Sequence, residues 1–236
     1  MINQLIEIIE NKVLTDDNLI TPKEGHEYTY LGVQVPSVTA ILSKCIHEDY
    51  LMNWANYLGF KRIKYRDELN RSANIGTEGH NAIERFLSDN IESDNIPLKG
   101  FILWWEMLIS NHSVKLLGME ERLVLSYCGG TYDLLLEIDG RIFLVDLKTS
   151  NHFSYKYFIQ LAAYRHMLYK CKGINIDGCL ILKLNKITPS FEEQLLDFAI
   201  DEHYQFIEQC AFTFISLVLA FYNIAKVEKN WKNIFK

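Results

Sequence analysis

The sequence has no C-x-x-C pair. Its five cysteines (Cys45, Cys128, Cys171, Cys179 and Cys210) are odd in number and widely spaced. That argues against a thiolate zinc or iron–sulfur site and reads as free thiols in a reducing compartment. Long hydrophobic runs are missing too. The longest, "AFTFISLVLAF" (211–221), is too short to span a bilayer and predicts a core helix, with no membrane partner. No basic stretch precedes an apolar one in "MINQLIEIIENKVL", so no signal peptide is expected and the setting reads as cytoplasmic. Positive charge is not in excess: 24 Lys and Arg stand against 30 Asp and Glu, a net −6. Such a balance argues against non-specific coating of nucleic acid but leaves room for a local basic surface. Internal repeats, low-complexity tracts, P-loops and helicase motifs are absent.

What is present is ordinary globular composition, 49% hydrophobic and 23% charged over 236 residues, enough for one substantial core. A single domain over 1–236 is expected. It has a mainly helical part (1–115), a core (116–190) and C-terminal helices (191–236). Residues 1–20 read as a helix, and 26–43 as a short hairpin turning into a helix near Pro36. Residues 48–90 and about 98–112 are helical. Strand patterns follow at 119–127, 131–138 and 141–148. Residues 153–171 return to helical period, with Tyr157, Leu161, Tyr164, Leu168 and Cys171 on one stripe. A fourth strand covers 178–184, and the chain reads helical from Phe191 onward. The strand–helix–strand step implies a parallel crossover. The expected fold is therefore α/β, a mixed four-to-five-stranded sheet flanked by helices.

The stretch "GGTYDLLLEIDGRIFLVDLKTS" (129–150) puts three charges among apolar strand residues. Asp139-Gly140 is a two-residue hairpin signal. Taken literally, it sets Asp133 opposite Asp146, with Cβ atoms roughly 4.5–5.5 Å apart. Lys148, two residues on, points to the same side. Tyr132, Leu134, Leu136, Phe143, Val145 and Leu147 fill the other face. Facing carboxylates repel unless they share a proton or a cation joins them. Oxygen ligands suit magnesium or manganese, and a metal beside a lysine suits phosphodiester hydrolysis. The plain alternative is a Lys–Asp salt bridge with Asp133 at a strand edge.

Asp133, twelve residues, then "DLK" (146–148) resembles the PD-(D/E)XK nuclease superfamily, with Tyr132 where the signature has proline. Its RecB-like exonuclease branch, phage and bacterial members included, is similar in further features. These are the glycine lead "GGTYD" (129–133), "DLKTS" (146–150), Gln160 and Tyr164 in "QLAAY", "GTEGH" (76–80) and "PSVTAIL" (36–42). The resemblance implies a restriction-endonuclease-like αβββαβ core with extra terminal helices. It also implies that Asp133, Asp146, the Leu147 carbonyl and His80 bind Mg²⁺ or Mn²⁺. Lys148 would be the catalytic lysine, with Gln160 and Tyr164 beside the active site. Iron–sulfur members carry a C-terminal cysteine cluster that this chain lacks, so no cluster is expected. One of Glu120 and Glu121 must face the metal side, and alternation does not say which.

DNA is the implied partner, single-stranded or at duplex ends. Lys61, Arg62, Lys64, Arg66 and Arg71, interleaved with Tyr57, Phe60 and Tyr65, form a basic aromatic segment leading into His80. Read alone, that segment is better taken as a solvated amphipathic helix, and only its lead into His80 brings the DNA-contact reading level with it. Ser37 and Thr39 could donate to phosphate, or cap a helix after Pro36. The reading that results is a metal-dependent DNA exonuclease in recombination, repair or phage DNA processing, in a bacterial or phage-infected cytoplasm. Two alternatives stand beside it. One is a structure-specific or restriction-like endonuclease; the other is a catalytically silent DNA-binding module or subunit of a complex, with a protein partner or second copy.

Overall fold

In the computed structural model the described residues are 28–47 and 49–234, together with 4, 6, 7 and 9. The helix expected over 1–20 lies outside them apart from those four, which are helical. Strands β1 (Tyr28–Tyr30) and β2 (Val33–Val35) form a small hairpin, followed by α1 (Val38–Cys45), α2 (Asp49–Phe60), α3 (Tyr65–Asp89) and α4 (Ile96–Asn111). Then come β3 (Val114–Leu125), β4 (Cys128–Ile138), β5 (Arg141–Lys148), α5 (Tyr155–Lys172), β6 (Gly178–Leu184), β7 (Phe191–Asp197) and α6 (Asp201–Ile234).

The main sheet has the order β3-β4-β5-β6-β7. Only β5 and β6 run parallel, joined by α5, and the other pairs are antiparallel. This is the expected mixed α/β sheet with five strands. The turn between β4 and β5 has positive φ at both central residues, Asp139 (51°) and Gly140 (79°). That twist suits a two-residue hairpin.

Two apolar layers enclose the sheet. On one face Leu135, Leu144, Cys179 and Ile181 meet α1, α5 and α6 through Ile41, Leu161, Met167, Phe214 and Val218. On the other, Leu134, Leu136, Val145, Leu147, Leu180 and Leu182 meet α3 and α4 through Ile83, Phe101 and Trp104. Helix α6 is long and apolar enough to cross a membrane by length and composition. Its Ile207, Cys210, Phe214, Ile215 and Val218 are buried, whereas Phe206, Phe212, Ile224, Val227 and Trp231 are exposed.

Two expectations need correction. Residues 191–197 are not helical but form β7, paired along its length with β6. This is an edge strand whose Glu192, Glu193 and Gln194 are exposed, so no alternation of buried apolar residues announces it. Lys183 pairs with Glu192 across it at 2.7 Å, and Trp104 Nε1 donates to Glu193 at 2.9 Å. Second, Tyr132 does not lie with Leu134 and Leu136. It packs in the layer of α5 and α6, so the alternation of faces slips by one step at Asp133.

Candidate active site

The hairpin register is as the turn predicts from Ile138↔Arg141 to Leu134↔Val145. There the ladder stops, one step short of Asp133 and Asp146. Instead of pairing its backbone onward, β4 sends the Asp133 carboxylate into the gap, where Oδ2 accepts the Leu147 N–H at 2.6 Å. Asp133, Asp146 and Gln160 are the buried polar side chains among the described residues. The strands open where the two acids need room.

Asp146 belongs to a chain of contacts built by β5 and α5. Lys148 Nζ donates to Asp146 Oδ1 at 2.8 Å. Gln160 Nε2 donates to the same oxygen at 3.1 Å and to Tyr164 Oη at 3.3 Å, while Gln160 Oε1 lies 3.5 Å from Lys148 Nζ. Gln160 and Tyr164 are one helical turn apart and so act on the same spot. The Tyr157 ring, another turn back, lies 5.1 Å from Lys148 Nζ. Asp146 Oδ2 is buried with no hydrogen bond, although Lys148 Nζ stands 2.7 Å away in an ion pair.

Helix α3 brings the opposite wall. A Cβ on Gly79 would stand 3.0 Å from Pro97 Cβ, so a small residue beside His80 lets α3 lie against α4. His80 Nε2 is 3.2 Å from the Leu147 carbonyl. His80 Nδ1 is 3.4 Å from Glu120 Oε1 and 3.7 Å from Asp133 Oδ1. His80, Glu120 and Asp133 each offer a donor atom within 4.8 Å of the others.

Sequence reasoning left Glu120 and Glu121 undecided, and tertiary structure separates them. Register shifts between Leu116 and Gly118, and Glu120 adopts φ 49°. Glu120 thereby stands opposite Asp133, between Met119↔Leu134 and Glu121↔Tyr132. Glu121 turns away to Tyr132 Oη at 2.7 Å and to Lys172. A bulge is invisible to simple alternation. Tyr157, on the helical stripe of α5, joins the site through Lys148. Its distance of three residues from Gln160 is the signal that could have found it.

The charges are interdependent. Burial raises the Asp146 carboxyl to about 6 despite Lys148, with Asp133 adding to the rise. Burial likewise raises Asp133, against His80 and Lys148. Burial opposes the charge on Lys148, yet Asp146 and Asp133 outweigh it and its pKa is raised. Burial also opposes the His80 imidazolium, but Asp133 and Glu120 prevail and lift it to about 9. A carboxylate cluster that draws a proton onto histidine this strongly suits a divalent cation in the proton's place. The donor set fits one: imidazole nitrogen, carboxylate oxygens and a backbone carbonyl.

The basic residues lie elsewhere. Lys61 and Arg62 sit in the turn between α2 and α3, Lys64 caps α3, and Arg66 and Arg71 lie on its first turns. Lys61 Nζ is 5.7 Å from the Tyr57 ring centre. Arg71 is held by Glu68 through two hydrogen bonds. Ser37 caps α1, its Oγ accepting from Ala40 N at 3.0 Å and lying 3.0 Å from Thr39 Oγ1. The isolated bridge Ser37↔Gly129 ties this cap to the start of β4.

The fold is consistent with the expected restriction-endonuclease-like core. An antiparallel β-meander ends in a parallel crossover, and Asp133, Asp146 and Lys148 converge where its strands part. His80, Gln160 and Tyr164 stand around them. No protein-family model matches the chain, and no curated protein matches it. Among solved structures it is similar to SSO0001, at 14% identity and TM-score 0.37, over 91% of this chain and 85% of that one. It is also similar to a phage-related exonuclease from Haemophilus somnus 129PT, at 13% and 0.33, over 64% and 82%. A third is the alkaline exonuclease LHK-Exo from Laribacter hongkongensis, at 13% and 0.29, over 56% and 71%.

Proposed function

We propose that this chain is a metal-dependent deoxyribonuclease, and by its resemblance an exonuclease acting at DNA ends or on single strands. The observation that carries the reading is the buried Asp146, shared by Lys148 and Gln160, beside the group formed by His80, Glu120 and Asp133. Asp133, Asp146, His80, Glu120 and the Leu147 carbonyl would hold Mg²⁺ or Mn²⁺. Such an ion would polarise the phosphate and lower the pKa of a water.

The chain's own groups do the rest. A water oxygen bonds to phosphorus, the bond to the leaving sugar oxygen breaks, and that oxygen ends protonated. Lys148, fixed by Asp146, Gln160 and the Tyr157 ring, places a positive charge where phosphate charge grows. Gln160 keeps Asp146 and Lys148 in register, and Tyr164 accepts its remaining N–H. The basic residues Lys61, Arg62, Lys64, Arg66 and Arg71 would meet backbone phosphates approaching along α3, which carries His80. Work on DNA in recombination, repair or phage genome processing, in a cytoplasm, accords with this chemistry.

The test is hydrolysis of end-labelled linear DNA and of closed circles, single- and double-stranded, with Mg²⁺ or Mn²⁺. Digestion of linear DNA is expected, and Asp146→Ala and Lys148→Ala should each lower it at least about 100-fold. Variants as active as the parent would overturn the centre, whereas cleavage of the circle would replace the exonuclease reading with an endonuclease.

A further inference from the structure

Beyond the metal centre, the segment that leaves β5 borders a second concavity. A cleft of about 320 Å³ lies between the start of α3, residues 149–151 and the turn joining β6 to β7. Its lining includes Arg71, Ser72, Ser150, Lys183 and Lys186. Thr149 follows Lys148 directly, so the cleft begins where the catalytic strand ends. Arg71 and Ser72 stand nine and eight residues before His80 on α3, about 12–14 Å along the helix.

The cations in this cleft are not equivalent. Arg71 is neutralised by Glu68, and Lys183 by Glu192. Lys186 is the exception. Its Nζ donates to Ser72 Oγ at 3.3 Å, and it forms no ion pair among the described residues. It is half-buried, and burial together with Arg71 lowers its pKa, against Glu68. A desolvated ammonium beside a second cation and hydroxyl donors is poorly served by the protein alone. An arriving anion with several acceptor oxygens would satisfy all of them at once.

We propose that this cleft binds a phosphate group of the substrate strand, with Lys186 and the hydroxyl of Ser72 as its donors and the part of the Arg71 guanidinium not bonded to Glu68 beside them. The proposal rests on the nuclease reading for the identity of the strand, not for the existence of the anion site. The phosphate is a backbone diester or a terminal monoester a few nucleotides from the scissile bond. Binding there fixes the strand's register relative to the metal centre.

The experiment compares the parent with Lys186→Ala and Lys186→Arg on one oligonucleotide sequence. The oligonucleotide carries either a terminal phosphate or a terminal hydroxyl, and neutral methylphosphonate linkages are placed singly along the first few positions. In the parent, one of these changes should raise KM about tenfold, a loss of about 1.4 kcal/mol. The position of the sensitive group tells a monoester from a diester. Lys186→Ala should be equally weak on all substrates, and Lys186→Arg should restore the discrimination. Full discrimination retained in Lys186→Ala would overturn the cleft and leave the metal centre standing. If the parent hydrolyses nothing, the cleft is judged by titration with inorganic phosphate without metal. Saturable binding lost in Lys186→Ala supports it, and equal binding in both proteins, or none, overturns it.

Discussion

Glu120 shows how much one residue's backbone can decide. Its φ of 49° lies in the left-handed region, uncommon for a residue with a side chain. That conformation turns its carboxylate to His80 at 3.4 Å. If Glu120 is a ligand, Glu120→Gln should weaken Mn²⁺ binding about tenfold, measured by the loss of free-ion EPR signal on titration with protein. Unchanged affinity would return Glu120 to the role of orienting His80. Glu121→Gln is the control, since that residue serves Tyr132 and Lys172 on the other side.

At the scale of the element, the start of β4 is shaped by what lies on it. A Cβ on Gly130 would come within 2.4 Å of the Tyr164 ring. The glycine lets α5 press its tyrosine onto the strand, which places Gln160 over Asp146. Gly130→Ala should therefore push Tyr164 aside and destabilise the fold by about 1–3 kcal/mol, read as a lower urea midpoint. Activity should fall further than stability explains. Gly130 gives this away in the sequence only as half of a glycine pair, whereas the aromatic partner lies on a helix distant in the chain. Strand β7 illustrates the opposite case. Its exposed acids match a loop or a helix surface equally well, and only pairing with β6 makes them a strand.

For the whole molecule, pH acts through groups buried uncharged. His166 accepts or donates a hydrogen bond with Tyr127 Oη at 2.8 Å. Burial, then the positive charges of Lys170 and Arg165, lower its pKa to about 4 from an ordinary 6.5. Above pH 6.5 it is neutral folded or unfolded, and its contribution to stability is complete. As pH falls from 6.5 towards 4 the unfolded chain takes up a proton that the folded chain refuses, so stability declines by up to about 1.4 kcal/mol per pH unit. His166→Gln should flatten the fall in Tm over that window, and an unchanged slope would show that other groups set it.

Much of the framework was decided locally. The Asp139-Gly140 pair dictates a turn with positive φ, and the apolar alternation beyond it sets the β4–β5 register as far as Leu134↔Val145. Spacing along one helix puts Gln160, Tyr164 and Tyr157 on a shared face. These follow from short-range sterics and from the periods of helix and strand. Tertiary structure decided what depends on distant partners. It parted the strands at Asp133 and Asp146, because the Asp133 carboxylate takes the Leu147 N–H that the ladder would otherwise use. It chose Glu120 over Glu121, because a bulge beside a neighbouring strand reset the alternation. It made an edge strand of Phe191–Asp197, because a strand with one free side needs its partner more than its own pattern.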